Sequence, residues 1–292
     1  MRGTFQGSLT ALPTPFRGGE LDFRRFADLI ERQIAAGTDG LVVAGTTGEA
    51  ATLSPTERRS LFTYAVGVTR RRVPLLAGVG TNATLSTLEL ALCARDAGAY
   101  GCLVVTPYYN RPSQAGLAHH FETVARHARL PVVLYNVPSR TSVDLAPETT
   151  LALAERLPNV VAIKEATTPE RVAELALHDT IDVLCGDDAW IADGMHAGAR
   201  GVIGVVANLL PESVAALVRA CRAGDEQRAA ARVEEQAPLV RALFLESNPA
   251  PLKHALALLG LAEEELRSPL VPVAVETGRR IEEALMQARL LL

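Results

Sequence analysis

The sequence predicts an α/β chain, a (β/α)8 TIM barrel with a C-terminal helical appendage. Three observations carry that expectation. Short apolar runs recur about every thirty residues, eight of them in all. Each run is apolar on both faces, which suits parallel strands covered by helices rather than a half-solvated antiparallel sheet. Helix signals occupy the intervals, and eight strand–helix units within about 225 residues suit closure into a barrel. A doubly wound open sheet is the structural alternative, but no GxGxxG follows an early strand.

The strands are expected at 8–14, 40–45, 73–79, 101–106, 131–136, 160–165, 181–186 and 201–207. Asp22 is a cap for a helix over 23–36 that stops at Gly37. Ser54-Pro55-Thr56-Glu57 supplies a cap, a proline at the first helical position and a capping-box acid. Further helices are expected at 84–97, 114–128, 147–157, 169–177, 190–197 and 211–223. After Gly224 the strands cease. A long helix over 225–245, a break at Asn248-Pro249-Ala250-Pro251 and helices at 252–259 and 277–290 make the tail. The expected division is a barrel over 1–224 and a helical domain over 225–292.

Composition bounds the function. A chain of 292 residues, 48% hydrophobic and 21% charged, fits a soluble globular protein, and the net charge of −4 is mild. No basic block suggests a nucleic-acid partner; Arg70-Arg71-Arg72 reads as the solvated end of a helix. No apolar run approaches the ~20 residues of a membrane span and the N-terminus lacks a signal-peptide core, so a cytoplasmic enzyme is expected. Cys93, Cys102, Cys185 and Cys221 are widely spaced and read as free thiols. Neither an HExxH nor a Cys/His cluster suggests a metal, and no cofactor is expected.

In barrel enzymes the chemistry sits at the C-terminal ends of the strands, so those ends are the places to read. The sixth strand ends in Lys164-Glu165. Only two of the 29 basic residues are lysines, Lys164 and Lys253, and arginine cannot serve as an amine nucleophile. A lysine buried there either pairs with an acid such as Glu165 or works as a neutral amine. The second strand delivers Gly45-Thr46-Thr47-Gly48-Glu49, whose amides and hydroxyls suit a small carboxylate, although Gly-Thr turns are also common loops. The fourth ends in Thr106-Pro107-Tyr108-Tyr109, where an interface or active-site role competes with simple loop packing and tyrosine's amphipathic character favours an interface for at least one. The fifth ends in Tyr135-Asn136-Val137-Pro138-Ser139-Arg140, which offers a proton carrier followed by a carboxylate fork, the alternative being a hydrogen-bonded core tyrosine and a surface arginine. The seventh ends in Gly186-Asp187-Asp188, and the eighth in Gly201-Val202-Ile203-Gly204, whose glycines would let main chain approach a ligand. His119-His120 lies mid-helix and reads as structural. Together these residues make a metal-free, carbanion-forming site in which a lysine imine acts as electron sink.

Five motifs then carry a resemblance: GTTGEAATL at 45–53, TPYYNRPSQ at 106–114, YNVPSRT at 135–141, IKEAT at 163–167 and GDDA at 186–189. In order and in register, they resemble the dihydrodipicolinate synthase family of class I pyruvate aldolases. The resemblance implies condensation of pyruvate with L-aspartate 4-semialdehyde toward diaminopimelate and lysine. It implies that Lys164 forms the Schiff base and that Tyr135 donates and accepts protons. Thr46 would link Tyr135 to Tyr109 of a neighbouring subunit. Thr47 would hold the pyruvate carboxylate, Arg140 the semialdehyde carboxylate, and the backbone at Gly186 and Ile203 would line the lysine pocket. A homotetramer built from two tight dimers is the implied assembly.

The chain also departs from that family's lysine-inhibited members. Pro55 and Arg58 stand where these carry histidine or a similar residue, and Ser86 where they carry glutamate, while Asn82 and Tyr108 are retained. Ser86 cannot pair with an effector's ammonium, so weak or absent lysine feedback is expected. Ala50 replaces the usual serine after GTTGE, and Thr168-Pro169 follows KEAT in place of the commoner glycine and acid. Other pyruvate aldolases, N-acetylneuraminate lyase and 2-keto-3-deoxy sugar acid aldolases, share the lysine and GTTGE but differ after the fifth-strand tyrosine. A silent keto-acid-binding barrel would not need the whole proton path, and an unrelated barrel would use Lys164 only as an ion-pair partner. Lys253 reads as a surface or helix-end contact of the tail.

Overall fold

In the computed structural model, which describes residue 3 and residues 5–291, the eight apolar runs are strands. They are β1 (Gly7–Ala11), β2 (Gly40–Val43), β3 (Leu75–Gly78), β4 (Gly101–Val105), β5 (Val132–Asn136), β6 (Val160–Glu165), β7 (Asp182–Cys185) and β8 (Gly201–Gly204). Each pairs in parallel with its neighbour in sequence, and β1 pairs with both β2 and β8, so the barrel closes. Every strand gives one large apolar side chain to the interior: Leu9, Val42, Leu76, Leu103, Val133, Val161, Leu184 and Ile203. Alternate residues such as Leu41, Leu75, Val104 and Leu134 face outward into a second cluster shared with the helices. The interior is a packed core, not a pore.

The covering helices are α1 (Phe23–Ala35), α2 (Pro55–Thr69), α3 (Thr84–Ala97), α4 (Gln114–Ala128), α5 (Pro147–Arg156), α6 (Pro169–Ala176), α7 (Ile191–His196) and α8 (Pro211–Ala223). Asp22 caps α1 by accepting from the Arg25 amide at 3.0 Å, and Ser54 with Glu57 forms the capping box of α2. Arg70 and Arg71 turn α2 off in left-handed conformation, and Arg72 pairs with Glu31. A two-stranded ribbon (Phe16–Arg17 with Glu20–Leu21) and a helical turn at Pro138–Thr141 were not foreseen; both are too short to show periodicity. No helix among the described residues is long and apolar enough to cross a membrane.

The tail comprises α9 (Glu226–Leu243), α10 (Ala250–Leu258) and α11 (Val275–Gln287). Its apolar residues Leu239, Leu243, Leu252, Leu256, Ile281 and Leu285 lie in the same cluster as the outer barrel face. The segment between α9 and α10 and the one after α10 reach the C-terminal ends of the strands, where Asn248, Lys253 and Arg267 contact the loop after β2. Lys253 is therefore not a surface residue. Its side chain is fully buried, paired with Glu49, bonded to the Glu265 carbonyl at 2.8 Å and stacked 4.1 Å over the Phe16 ring. The sequence did not show this, because the pairing spans about two hundred residues.

One irregularity decides what faces the interior. Between β5 and β6 the register runs Val132↔Val160 and then Val133↔Ala162, so Val161 is an extra residue. This bulge shifts the alternation by one and brings Tyr135 opposite Lys164, with Asn136 opposite Glu165.

Candidate active site

Lys164 and Tyr135 sit side by side on the inner face of the barrel, with the lysine Nζ 4.5 Å from the centre of the tyrosine ring. Lys164 is 6% exposed and forms no ion pair among the described residues. Glu165, the obvious structural partner, points the other way. Its carboxylate accepts from Asn136 Nδ2 at 3.1 and 3.3 Å on the outer face, and burial pushes its pKa up. Asn136 in turn donates to Asp144 at 2.7 Å, and Asp144 is held by Arg171. The outward residues of β5 and β6 thus tie together the two strand ends that carry the inward tyrosine and lysine.

A cavity of about 310 Å³ beside Tyr135 is lined by Thr46, Tyr135 and Arg140 together with Arg58, Tyr108 and Asn248, whereas Lys164 and Thr47 are not among its lining residues. Thr46 enters from the loop after β2, whose backbone is left-handed at Ala44 and at Glu49. The neighbouring Thr47 is buried, and its hydroxyl oxygen accepts from Asn248 Nδ2 at 3.0 Å. Arg140, on the turn after β5, donates from Nη2 to the Asn248 carbonyl at 3.4 Å. Two proposed carboxylate-binding groups are therefore touched by one residue of the tail.

Gly186 and Ile203 do not line that cavity. The Gly186 amide donates to the Glu165 carbonyl at 2.7 Å, and a Cβ there would come within 2.8 Å of that carbonyl and of Ala166. Only glycine lets β7 end so close to the lysine strand. Ile203 is fully buried in the interior cluster with Tyr135 and Leu184. The glycines of β8 do not open space for a ligand. A Cβ at Gly201 would meet the backbone of Gly7, and one at Gly204 would fall on the Asp188 carboxylate. Asp188 accepts from the amides of Val205 at 2.7 Å and Val206 at 3.3 Å, and burial pushes its pKa up to about 6.

Tyr109 stands apart from these residues in the single chain. It is 89% exposed with φ +73, makes no side-chain hydrogen bond to Thr46 or Tyr135, and its amide donates to the Thr141 carbonyl at 3.4 Å. Arg58 is the other unexpected member. Its guanidinium is buried and donates from Nε to the Ala50 carbonyl at 3.1 Å, while Nη1 has no partner. His120 is buried against Phe121 with Thr84 Oγ1 2.9 Å from its Nδ1, and burial pushes its pKa down to about 4, so it is neutral and structural.

The model of the dihydrodipicolinate synthetase family matches residues 4–288. The chain belongs to that family. It is 44% identical to a 4-hydroxy-tetrahydrodipicolinate synthase of Geobacter metallireducens over 280 residues, covering 95% of this chain and 96% of that one. The crystal structure of dihydrodipicolinate synthase from Aquifex aeolicus superposes with a TM-score of 0.97 at 41% identity, covering 99% of each chain. A monomeric dihydrodipicolinate synthase variant superposes at 0.96 with 38% identity, covering 99% of this chain and 98% of that one. Of the cavity-lining residues, Thr46, Tyr135 and Arg140 are candidate site residues from the sequence, whereas Asn248 is not, its only signal being the Asn-Pro-x-Pro pattern of the tail turn.

Proposed function

We propose that the chain condenses pyruvate with L-aspartate 4-semialdehyde to give 4-hydroxy-tetrahydrodipicolinate, the entry to diaminopimelate and lysine synthesis. One observation carries the reading: Lys164 lies inside the barrel against Tyr135, and the neighbouring acid faces away. The reaction needs this amine as a nucleophile, and its interior position leaves it free of an ion pair among the described residues.

The neutral Lys164 amine attacks the ketone carbon of pyruvate, and water leaves as the imine forms. Tyr135 supplies the proton that the departing hydroxyl needs. Loss of a methyl proton then gives an enamine, whose carbon bonds to the aldehyde carbon of the second substrate while the aldehyde oxygen takes a proton. The amine of the added chain attacks the imine carbon, closing the ring and releasing Lys164. Thr47 holds the pyruvate carboxylate and Arg140 the semialdehyde carboxylate, a pairing suited to guanidinium geometry. Arg140 on the cavity wall favours a short carboxylated aldehyde over a polyhydroxy sugar. A proton relay through Thr46 needs Tyr109 from a second copy, since in one chain the two do not meet. The working unit is accordingly a tight dimer, assembled as a tetramer in the cytoplasm. An active chain that sediments as a monomer would exclude that use of Tyr109.

Borohydride reduction in the presence of pyruvate, read by intact-protein mass, tests the mechanism. Wild type should gain one reduced pyruvyl group, and Lys164→Ala none. Absence of the adduct on wild type would sink the imine. Comparing aspartate semialdehyde with sugar aldehydes as second substrate then separates the synthase from its aldolase relatives.

A further inference from the structure

The tail turn at Asn248 is a part of the site that the sequence did not reveal. Its side chain is 7% exposed, lines the cavity and donates to Thr47 Oγ1 at 3.0 Å across 201 positions of sequence. The Asn248 Oδ1 is buried with no partner, so this amide is not kept for its own hydrogen-bond satisfaction. Its carbonyl meanwhile accepts from Arg140.

The direction of the Thr47 bond has a chemical consequence. A threonine hydroxyl has one proton and two lone pairs, and its rotor turns to suit its neighbours. With Asn248 donating into the oxygen, the Thr47 proton is left to point elsewhere, and among the described hydrogen bonds it has no acceptor. A hydroxyl so arranged is a donor in waiting, which is what binding a carboxylate requires. Aspartate at position 248 would keep the shape but reverse the polarity, drawing the hydroxyl proton to itself.

We propose that Asn248 is a positioning residue for the substrate site. Its amide orients the Thr47 hydroxyl as a donor to the carboxylate of the keto acid, and its carbonyl braces Arg140. This rests on the pyruvate reading of the site given above.

The test is the pyruvate concentration at half-saturation, measured both by borohydride trapping without aldehyde and as KM in the full reaction. Asn248→Ala should raise it about tenfold, the worth of one charge-assisted hydrogen bond, with kcat changed much less. Asn248→Asp should raise it further, and Asn248→Ala added to Thr47→Val should have little additional effect. The aldehyde KM should move less than the pyruvate KM, because the brace on Arg140 is main chain. A residue that only stabilises the fold would lower melting temperature and active fraction while leaving both half-saturation values in place. Values within about twofold of wild type for Asn248→Ala, with the adduct intact, would overturn the proposal. Should the alanine variant not fold, a Thr47→Val enzyme with unchanged pyruvate half-saturation would overturn it equally. If wild type forms no adduct, the pyruvate reading fails instead.

Discussion

Removing the Lys253 ammonium should damage stability far more than any surface charge would. Lys253 and Glu49 are both fully buried, and they join α10 to the loop that carries Thr46 and Thr47. Glu49 accepts one further bond, from the Arg267 amide at 2.9 Å, and Lys253 donates to the Glu265 carbonyl. In Lys253→Met the methionine fills most of the volume, but the Glu49 carboxylate keeps only the Arg267 amide. Breaking a buried pair from one side costs about 3–5 kcal/mol, since the remaining charge is left uncompensated. For a chain of this size about 1 kcal/mol shifts the melting temperature by ~2–4 °C. The expected fall is therefore roughly 6–20 °C, measured by calorimetry or circular dichroism at fixed protein concentration. Glu49→Gln added to Lys253→Met should recover a large part of the loss, because the uncompensated charge is then gone. A fall of about one degree in Lys253→Met, or a double variant as unstable as the sum of the singles, would refute the reasoning.

Two other predictions concern acid stability and regulation. The hydrogen bond from Arg267 holds the Glu57 carboxyl down at about 2, although burial opposes it, and both side chains are about one-fifth exposed. A carboxylate whose folded pKa lies below its unfolded value stabilises above the unfolded pKa, and that contribution is lost as pH falls. Wild type should exceed Glu57→Gln by about 1 kcal/mol near pH 6, after discounting for solvent screening, and the gap should close between about pH 5 and pH 2. Urea titrations showing a pH-independent gap would remove Arg267 as its cause. Lysine should inhibit weakly or not at all, because Ser86 offers no carboxylate and the Arg58 guanidinium, lining the cavity, repels an ammonium. An inhibition curve with near-complete loss of activity at sub-millimolar lysine would overturn that expectation.

The architecture was legible because its signals are local. Apolar runs set the strands, and Asp22 and Ser54 set the starts of α1 and α2 within four residues of themselves. The candidate site residues were legible through residue type, since a rare lysine, a tyrosine and an arginine at strand ends stand out without any knowledge of neighbours. Contacts made across the chain were not. Lys253 gave no sign that its partner was Glu49, and Asn248 gave none that it would touch Thr47, because pairings between positions 200 apart leave no periodicity to read.

The bulge at Val161 is the sharpest case of a local feature with a remote meaning. Simple alternation from the inward Val161 would put Ile163 inside and turn Lys164 toward the helices, next to Asn136 and Asp144. The extra residue instead places Ala162 and Lys164 inward and sends Ile163 into the outer cluster. Glu165, the next residue, faces outward as strand alternation requires, and its carboxylate meets Asn136 there while the lysine meets the tyrosine. One irregularity therefore delivers an amine to the barrel interior and seats it against the tyrosine. In the sequence this appears only as four consecutive apolar residues ahead of a lysine, a pattern compatible with either register. The fold could be read from that pattern, but which face the lysine took depended on pairing with β5, a fact of tertiary structure.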